Sequence, residues 1–208
     1  MSIIEKIKKY SYRDLALIFL RKFLGTQVGK IHYLRLNTDI DRVKNMMTDF
    51  NLEVKELCYE DFLLGDKNVF KGKKLELIKN RLTDDNYKAY GIIEYGILVY
   101  STWFSTKNVG LPIPTKPIPM LSKEGLLEDS YTDPIARGRG MHSQMNNYRL
   151  LKLYELGKTR VLVLVLHGNT PAFKVQFRSG FEDLGSFYCG TILGFNFHTL
   201  KKSKYDNR

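Results

Sequence analysis

Apolar positions along the chain alternate between the two-residue period of strands and the 3.6-residue period of amphipathic helices. Strands are predicted over residues 31–36, 87–93, 97–105, 126–132 and 160–166. Helices are predicted over residues 39–50, over 60–82 with breaks near 65 and 72, over 143–156, and in a short segment before Gly180. Antiparallel strands in the first half of the chain are followed by a strand, a helix and a strand. This order predicts an α/β protein with a mixed, mostly antiparallel central sheet flanked by helices.

Residues 106–124 differ from the rest of the chain because they hold four of its six prolines. Proline has no backbone N–H and cannot donate to a sheet ladder. The segment is therefore predicted to be a long, stiff loop between the third and fourth strands. Long ordered loops are often functional, and an ordinary exposed connection is the alternative.

A glycine-rich turn lies between the strand at 126–132 and the helix at 143–156. Gly138 and Gly140 allow a ligand to approach the backbone without a Cβ in the way. The first amides of a helix have no acceptor within the helix, and the helix dipole favours an anion there. The turn is therefore a predicted phosphate site.

This turn resembles the acyl-CoA-binding motif of the GCN5-related N-acetyltransferase (GNAT) superfamily, Q/R-x-x-G-x-G/A. Arg137 stands at its first position and Gly140 at its fourth, but His142 stands at the sixth, where the family has Gly or Ala. The backbone amide of His142 is expected to meet phosphate, and a protonated imidazole contacting the phosphate directly is the alternative.

The chain after the turn is similar to the same family. Asn169, Ala172 and the pair Gly180-Phe181 follow the strand at 160–166 with the spacing of the family's N-x-x-A-x-x-x-Y-x-x-x-G-F segment. Gln176 replaces the tyrosine that serves many members as a general acid. Tyr131, Tyr188 and Cys189 are the candidate substitutes for that tyrosine.

The resemblance implies a GNAT fold whose sheet is splayed between strands 4 and 5, with acyl-CoA as co-substrate and no metal. It implies transfer of an acyl group to a primary amine by direct attack in a ternary complex. The implied cofactor contacts lie on strand 4, the turn and the following helices: Ser130, Thr132, Arg137, Gly138, Arg139, Gly140, Met141, His142, Asn169 and Gln176.

Three neighbouring residues of the fourth strand are the candidates for catalysis. Glu128 occupies a position where family enzymes often carry a base, and it could accept a proton from the amine. A β-bulge in this strand would turn Asp129 inward instead. The backbone amide of Ser130 could polarise the thioester carbonyl, as an oxyanion hole does.

Composition and charge limit the other function classes. The chain has 208 residues, 43% of them hydrophobic, which suits a single packed domain. Its two cysteines form neither a metal spacing nor a disulfide framework, so a cytoplasmic protein is predicted. The net charge of +11 suits phosphorylated ligands and also a solvated lysine-rich surface.

Residues 1–28 are predicted to be a basic helical extension, and residues 29–208 the acyltransferase domain. The apolar run at 15–20 is far shorter than the ~20 residues that span a membrane, so no integral membrane segment is expected. Both faces of the extension carry bulky apolar side chains, so it is expected to pack on the domain or on a second subunit. In the second case the protein would be a homodimer.

The acceptor is expected to be a nucleotide-linked amino sugar, as in bacterial surface-polysaccharide biosynthesis. The charge excess and the proline-rich loop favour a long, phosphorylated acceptor. A protein or peptide N-acetyltransferase is the alternative within the fold. A non-catalytic CoA-sensing domain and a nucleic-acid-binding module, with Arg137 and Arg139 on the phosphate backbone, are the alternatives from other classes; no nucleic acid is expected as a partner.

Overall fold

The computed structural model describes residues 27–37, 41, 44–45, 47, 50–111, 118–192 and 195–203. Most of the predicted N-terminal extension therefore lies outside the described residues. So does most of the helix predicted at 39–50, of which Asp41, Lys44 and Asn45 are described as helical.

Ten strands and four α-helices are described. The strands are β1 Gln27–Asn37, β2 Lys55–Glu56, β3 Tyr87–Glu94, β4 Ile97–Ser105, β5 Asn108–Val109, β6 Ile118–Pro119, β7 Glu124–Thr132, β8 Arg160–Leu166, β9 Glu182–Ile192 and β10 Phe195–Lys202. The helices are α1 Tyr59–Phe62, α2 Lys73–Leu82, α3 Met141–Glu155 and α4 Thr170–Arg178, with a 3-10 turn at Pro134–Ala136 before α3.

Eight strands form one sheet in the order β10-β9-β1-β8-β7-β4-β3-β2. The β7–β8 pair is parallel, and the other neighbours are antiparallel. The β7–β8 pairing runs from Glu124 opposite Arg160 to Leu127 opposite Val163, and then stops. The two strands separate beyond that point, so the mixed sheet flanked by helices and the predicted splay are confirmed.

The first strand lies in the middle of the sheet. β1 pairs with β8 on one side and β9 on the other, although its nearest strands along the chain are β2 and β3. Ile31, Leu34 and Leu36 are each at most 2% exposed. Packing on both faces explains why this apolar strand takes an interior position.

Alternate residues of β8 face opposite sides of the sheet. Val161, Val163 and Val165 join the core beneath α3, whereas Leu162 belongs to the cluster on the other face. Helix α3 lies close to β7 because Gly125 has no side chain: a Cβ there would stand 2.5 Å from Leu153 Cδ2.

The two described ends of the proline-rich segment pair with each other, whereas residues 112–117 lie outside the described residues. Asn108 pairs with Pro119 and Val109 with Ile118, in a two-stranded ladder of β5 and β6. Among the described residues this ladder has no third strand, so Pro119 lies on an edge strand, where proline is tolerated. Val109 is 1% exposed and packs with the β8 cluster, which fixes the segment on one face of the sheet.

Candidate active site

The site is centred on the point where β7 leaves β8. Tyr131 pairs with Ser101 and Glu128 with Trp103, so β7 has one more residue than β4 over this stretch. The extra residue makes a β-bulge, and Asp129 within it has a φ of 38°, a left-handed value that Asp tolerates better than most residues. The β-bulge, which the sequence analysis offered as an alternative for this strand, is therefore present.

A buried arginine holds this bulge from below. Arg149 of α3 is 1% exposed and donates to the carbonyls of Trp103 at 2.9 Å and Glu128 at 3.1 Å. It also donates to Asn146 Oδ1, and Asn146 in turn donates to Gln176 Oε1 at 3.4 Å. Burial lowers the pKa of Arg149 to about 10, so it stays charged at neutral pH.

Two cavities open on the two faces of the splayed strands. The α3-side cavity has a volume of about 310 Å³, and its walls include Ser130, His142, Arg149, Asn169 and Gln176. It is the more polar of the two, because its floor is formed by the Arg149 network and its far wall by the start of α4. Four residues predicted to contact the cofactor line it: Ser130, His142, Asn169 and Gln176.

The α2-side cavity is larger, about 500 Å³, and mostly aliphatic. Leu77 and Arg81 of α2, Gly110 and Leu111 of the proline-rich segment, and Leu164 of β8 are among its walls. Residues 110 and 111 of the proline-rich segment thus border this cavity.

The two cavities share five lining residues at the splay. These are Leu127, Glu128, Asp129, Leu164 and Leu166. A molecule that extends through the gap between β7 and β8 would therefore pass from one face of the sheet to the other beside the two carboxylates.

Both carboxylates are bound by cations of α2. Arg81 contacts Glu128 Oε2 at 2.6 Å and Asp129 Oδ2 at 3.3 Å, and Lys74 contacts Asp129 Oδ2 at 2.5 Å. A regular strand would place residues 128 and 129 on opposite faces. The bulge removes that alternation, which is why both side chains reach the same arginine.

Glu128 is the more enclosed of the two carboxylates. Its side chain is 11% exposed, and Ser105 Oγ donates to it at 3.2 Å. Burial raises the pKa of Glu128, while the positive charge of Arg81 acts in the opposite direction. A carboxyl group with a raised pKa beside a cavity is suited to accept a proton near neutral pH.

The glycine turn is exposed and leads directly into α3. Gly140 is the N-cap of α3 with a φ of 73°, a left-handed value that needs little energy only in glycine. Within the described part of the chain, no acceptor is recorded for the backbone N–H groups of residues 138–142. These amides can therefore receive an anion at the start of a fifteen-residue helix.

The two arginines of the turn are not equivalent. Arg137 makes one hydrogen bond, from Nε to the Thr132 carbonyl at 3.3 Å. Arg139 donates two hydrogen bonds to Glu94, at 2.6 and 2.7 Å. Arg139 is therefore paired with the β3–β4 hairpin, whereas Arg137 has no carboxylate partner among the described residues. Contact of either side chain with the cofactor stays a prediction.

His142 is neutral rather than cationic. Burial and the nearby Arg149 charge lower the pKa of His142 to about 4. Its Nδ1 lies 2.9 Å from the hydroxyl of buried Tyr100. The lowered pKa favours a neutral imidazole, so a phosphate contact through the backbone amide of His142 stays the preferred prediction.

The proposed substitutes for the missing tyrosine lie elsewhere. Tyr131, Tyr188 and Cys189 line neither cavity. Tyr131 donates to Asp133 at 3.1 Å, and burial raises its pKa to about 12. Gln176, 3% exposed, remains the residue at that position of the cavity.

The other residues predicted at the cofactor make contacts within the protein, and their contact with the cofactor stays a prediction. Thr132 pairs with Tyr100 of β4, and Asn169 caps α4 by accepting from the Ala172 amide at 3.3 Å. Met141 is buried beneath the turn. Ser130 lies at the bulge, where its hydroxyl is 2.7 Å from Thr102 Oγ1, and it has no register partner on β4 or β8.

Sequence reasoning missed Arg149, Arg81 and Lys74. Arg149 lies on the apolar stripe of α3, four residues from Met145 and from Leu153, and a charged residue on such a stripe is a signal of a buried cation. Lys74 and Arg81 are seven residues apart on α2, which places both on one face of that helix.

No model of a known protein family matches the chain, and no characterised protein matches it in sequence. Solved structures do match. A glucosamine N-acetyltransferase region of a fungal multi-domain β-N-acetylglucosaminidase superposes with a TM-score of 0.55 at 15% identity, over 86% of this chain and 22% of that one.

Two further solved structures are similar. A candidate acetyltransferase of the GNAT family from Novosphingobium aromaticivorans has a TM-score of 0.54 at 14% identity, over 86% of this chain and 69% of that one. An aminoglycoside 6′-N-acetyltransferase in complex with a CoA bisubstrate analogue has a TM-score of 0.50 at 17% identity, over 64% of this chain and 91% of that one. The chain therefore has the fold of the GNAT N-acetyltransferases.

Each helix of the described residues is too short or too polar to cross a membrane. The described residues also contain no cluster of three His, Cys, Asp or Glu side chains that could hold a metal ion.

Proposed function

We propose that the chain is an acyl-CoA-dependent N-acyltransferase that moves an acyl group to a primary amine by direct attack in a ternary complex. One juxtaposition supports the proposal above the others. The gap between β7 and β8 lies between a helix start with free amides on one face and an enclosed carboxylate, Glu128, on the other face.

The glycine turn would hold the pyrophosphate of acyl-CoA. The amides of residues 138–142 can donate to it, and the Arg137 guanidinium can move from the Thr132 carbonyl to a phosphate. The unpaired backbone of Ser130 and the open edge of β8 would hold the pantetheine arm. This assignment leaves the thioester at the splay, beside Glu128.

Glu128 would take the proton from the incoming ammonium, so that a neutral amine attacks the thioester carbonyl. The new C–N bond forms as the C–S bond breaks, and the amine's second proton ends on the CoA sulfur or in solvent. Asp129, which lines both cavities and has a side chain 30% exposed, is the more accessible carboxylate and would meet the amine first. The Ser130 amide is the proposed oxyanion donor.

The CoA thiolate would leave without a tyrosine acid. Gln176 is an amide with no acidic proton, and its Oε1 already accepts from Asn146. A free thiol of this kind has a pKa near ~8.5 by analogy with cysteine, so a thiolate is a tolerable leaving group at neutral pH. Water in the α3-side cavity would then supply the proton.

For the acceptor we propose a nucleotide-linked amino sugar. The net charge of +11 and the length of the proline-rich segment support this choice; the sugar and its phosphates would lie outside the α2-side cavity, with only the amine at its mouth. Phosphates held by exposed Lys and Arg are screened by salt, so the acceptor KM should rise with ionic strength more steeply than that of an uncharged amine. A KM equally insensitive to salt for both acceptors would remove the reason for this choice.

The test of the activity is release of CoA thiol from acetyl-CoA. Release should require an acceptor, and a panel of a nucleotide-linked amino sugar, free glucosamine and a lysine peptide separates the acceptor classes. Preference for the peptide would favour a protein N-acetyltransferase. CoA binding without release by any acceptor would leave a CoA-sensing domain, and absence of CoA binding would contradict the proposal.

A further inference from the structure

The α2-side cavity is larger and more apolar than acetyl transfer to a sugar amine requires. Seven of its twelve lining residues are leucine or isoleucine, so its walls offer few partners to hydroxyl groups. Ile31 and Leu126 form a floor at most 2% exposed, and Leu77 and Leu166, at 43% and 59% exposed, stand at its edge. Exposed leucines around a concave site mark a surface that an apolar ligand would cover.

The aliphatic walls of the α2-side cavity begin at the splay, which is the place proposed for the thioester. Leu127, Leu164 and Leu166 line both cavities, so apolar contacts continue through the splay from one face to the other. The charged groups on the α2 side are paired with one another: Arg81 binds Glu128 and Asp129, and Lys74 binds Asp129. The remaining surface of the cavity therefore suits a group without charge.

We propose that the α2-side cavity binds a medium-length fatty acyl chain, so that the substrate is an acyl-CoA with a chain of about six to ten carbons. This inference rests on the proposed acyl-CoA site. A methylene occupies on the order of 30 Å³, similar to the volume share of a water molecule, so an eight-carbon chain needs roughly 240 Å³. The cavity of about 500 Å³ holds that chain and leaves its carboxylate-lined mouth to the amine.

The test is calorimetry with S-alkyl thioethers of CoA, which need no acceptor and cannot react. Unmodified CoA and its S-ethyl, S-butyl, S-hexyl and S-octyl derivatives should bind with rising affinity. We expect a gain of about two- to fourfold per methylene, the upper value corresponding to about 0.8 kcal/mol for each buried CH₂. The heat-capacity change on binding should become more negative with chain length.

The Leu77→Trp variant tests whether the acyl chain lies in the α2-side cavity. Leu77 is exposed on α2, so a larger side chain there can fill the cavity without disturbing the core. The variant should bind CoA and S-ethyl-CoA as the parent does but lose at least tenfold of the affinity for S-octyl-CoA. Leu156→Trp is the control, because Leu156 is 56% exposed and lines neither cavity.

Each outcome separates this inference from the function on which it rests. Binding of CoA with no gain from longer chains, or equal effects of Leu77→Trp on every derivative, would overturn the acyl-chain pocket and leave the CoA site standing. A Leu77→Trp variant that changes only the amine KM would assign the cavity to the acceptor instead. Failure of all derivatives, including CoA itself, to bind would contradict the proposed function.

Discussion

The two faces of the splay differ in what they present to a ligand. The α3 side offers backbone amides, one available arginine and a polar floor, whereas the α2 side offers leucines with two paired carboxylates at the mouth. Backbone amides suit a phosphate whatever side chains surround them. An aliphatic cavity instead selects by size and shape. Under the proposed function, cofactor recognition would lie on the α3 side and substrate selection on the α2 side.

The largest expected effect concerns the residue that separates the two faces. Arg149→Met removes the donor that serves the Trp103 and Glu128 carbonyls and Asn146. Each buried acceptor left without a hydrogen bond costs about 1–3 kcal/mol of stability. Removing the buried positive charge also removes its desolvation penalty, which offsets part of this loss. The free energy of unfolding should therefore fall by about 3 kcal/mol. Urea denaturation measures this change.

Lys152→Met is the control for that measurement, because Lys152 lies on the same helix and its side chain is 31% exposed. A loss below about 1 kcal/mol in Arg149→Met, similar to that of the control, would mean that water replaces the guanidinium at the bulge.

The next expected effect concerns Glu128, which lines both cavities at the splay. Glu128→Gln keeps the shape of the side chain but removes the base, so kcat should fall about a hundredfold. Because burial raises the pKa of Glu128, the parent rate should rise as the pH increases through that raised value and the carboxylate forms. The variant should lack this acidic limb while its acyl-CoA affinity stays within about twofold.

Asp129→Asn is the matched comparison for Glu128→Gln, since Asp129 shares Arg81 with Glu128 but its side chain is 30% exposed. If the acidic limb disappears in Asp129→Asn and persists in Glu128→Gln, the base is Asp129.

These two faces were not equally predictable from the sequence. Four elements were predictable because local propensity and helix-start chemistry decide them. They are the glycine turn, the helix after it, the strand at 160–166 and the helix after that strand. The bulge depends on register against β4, which no local pattern specifies. The central position of β1 and the ion pair between Arg139 and Glu94 also depend on contacts between distant segments, which no local pattern specifies.

A pair of arginine variants sharpens the assignment of the cofactor side. Arg137→Gln should weaken binding of CoA about thirtyfold, since it removes a charge-assisted hydrogen bond to phosphate. Arg139→Gln should weaken it less than threefold, because Glu94 already neutralises Arg139. Calorimetry gives both dissociation constants. Equal losses in the two variants would mean that general charge rather than a directed contact attracts CoA.

The smallest expected effect tests how enclosed the start of α3 is. The pKa of His142 is about 4 in the folded chain, below its ordinary value of 6.5. As the pH falls below about 6.5 the unfolded chain binds a proton that the folded chain refuses, so stability present at pH 7 is lost on the way to pH 4. Between pH 7 and 5 this loss is about 1.8 kcal/mol for a shift of this size.

His142→Asn should remove that part of the pH dependence, while all other titrating groups, including His32 with its own lowered pKa, contribute equally to both proteins. The difference between the two urea-denaturation profiles therefore isolates His142. Parallel profiles would show that His142 titrates normally, which requires water to reach the hydrogen bond between its Nδ1 and Tyr100. In that case the helix start is open to solvent, and an imidazolium on a phosphate becomes tenable again.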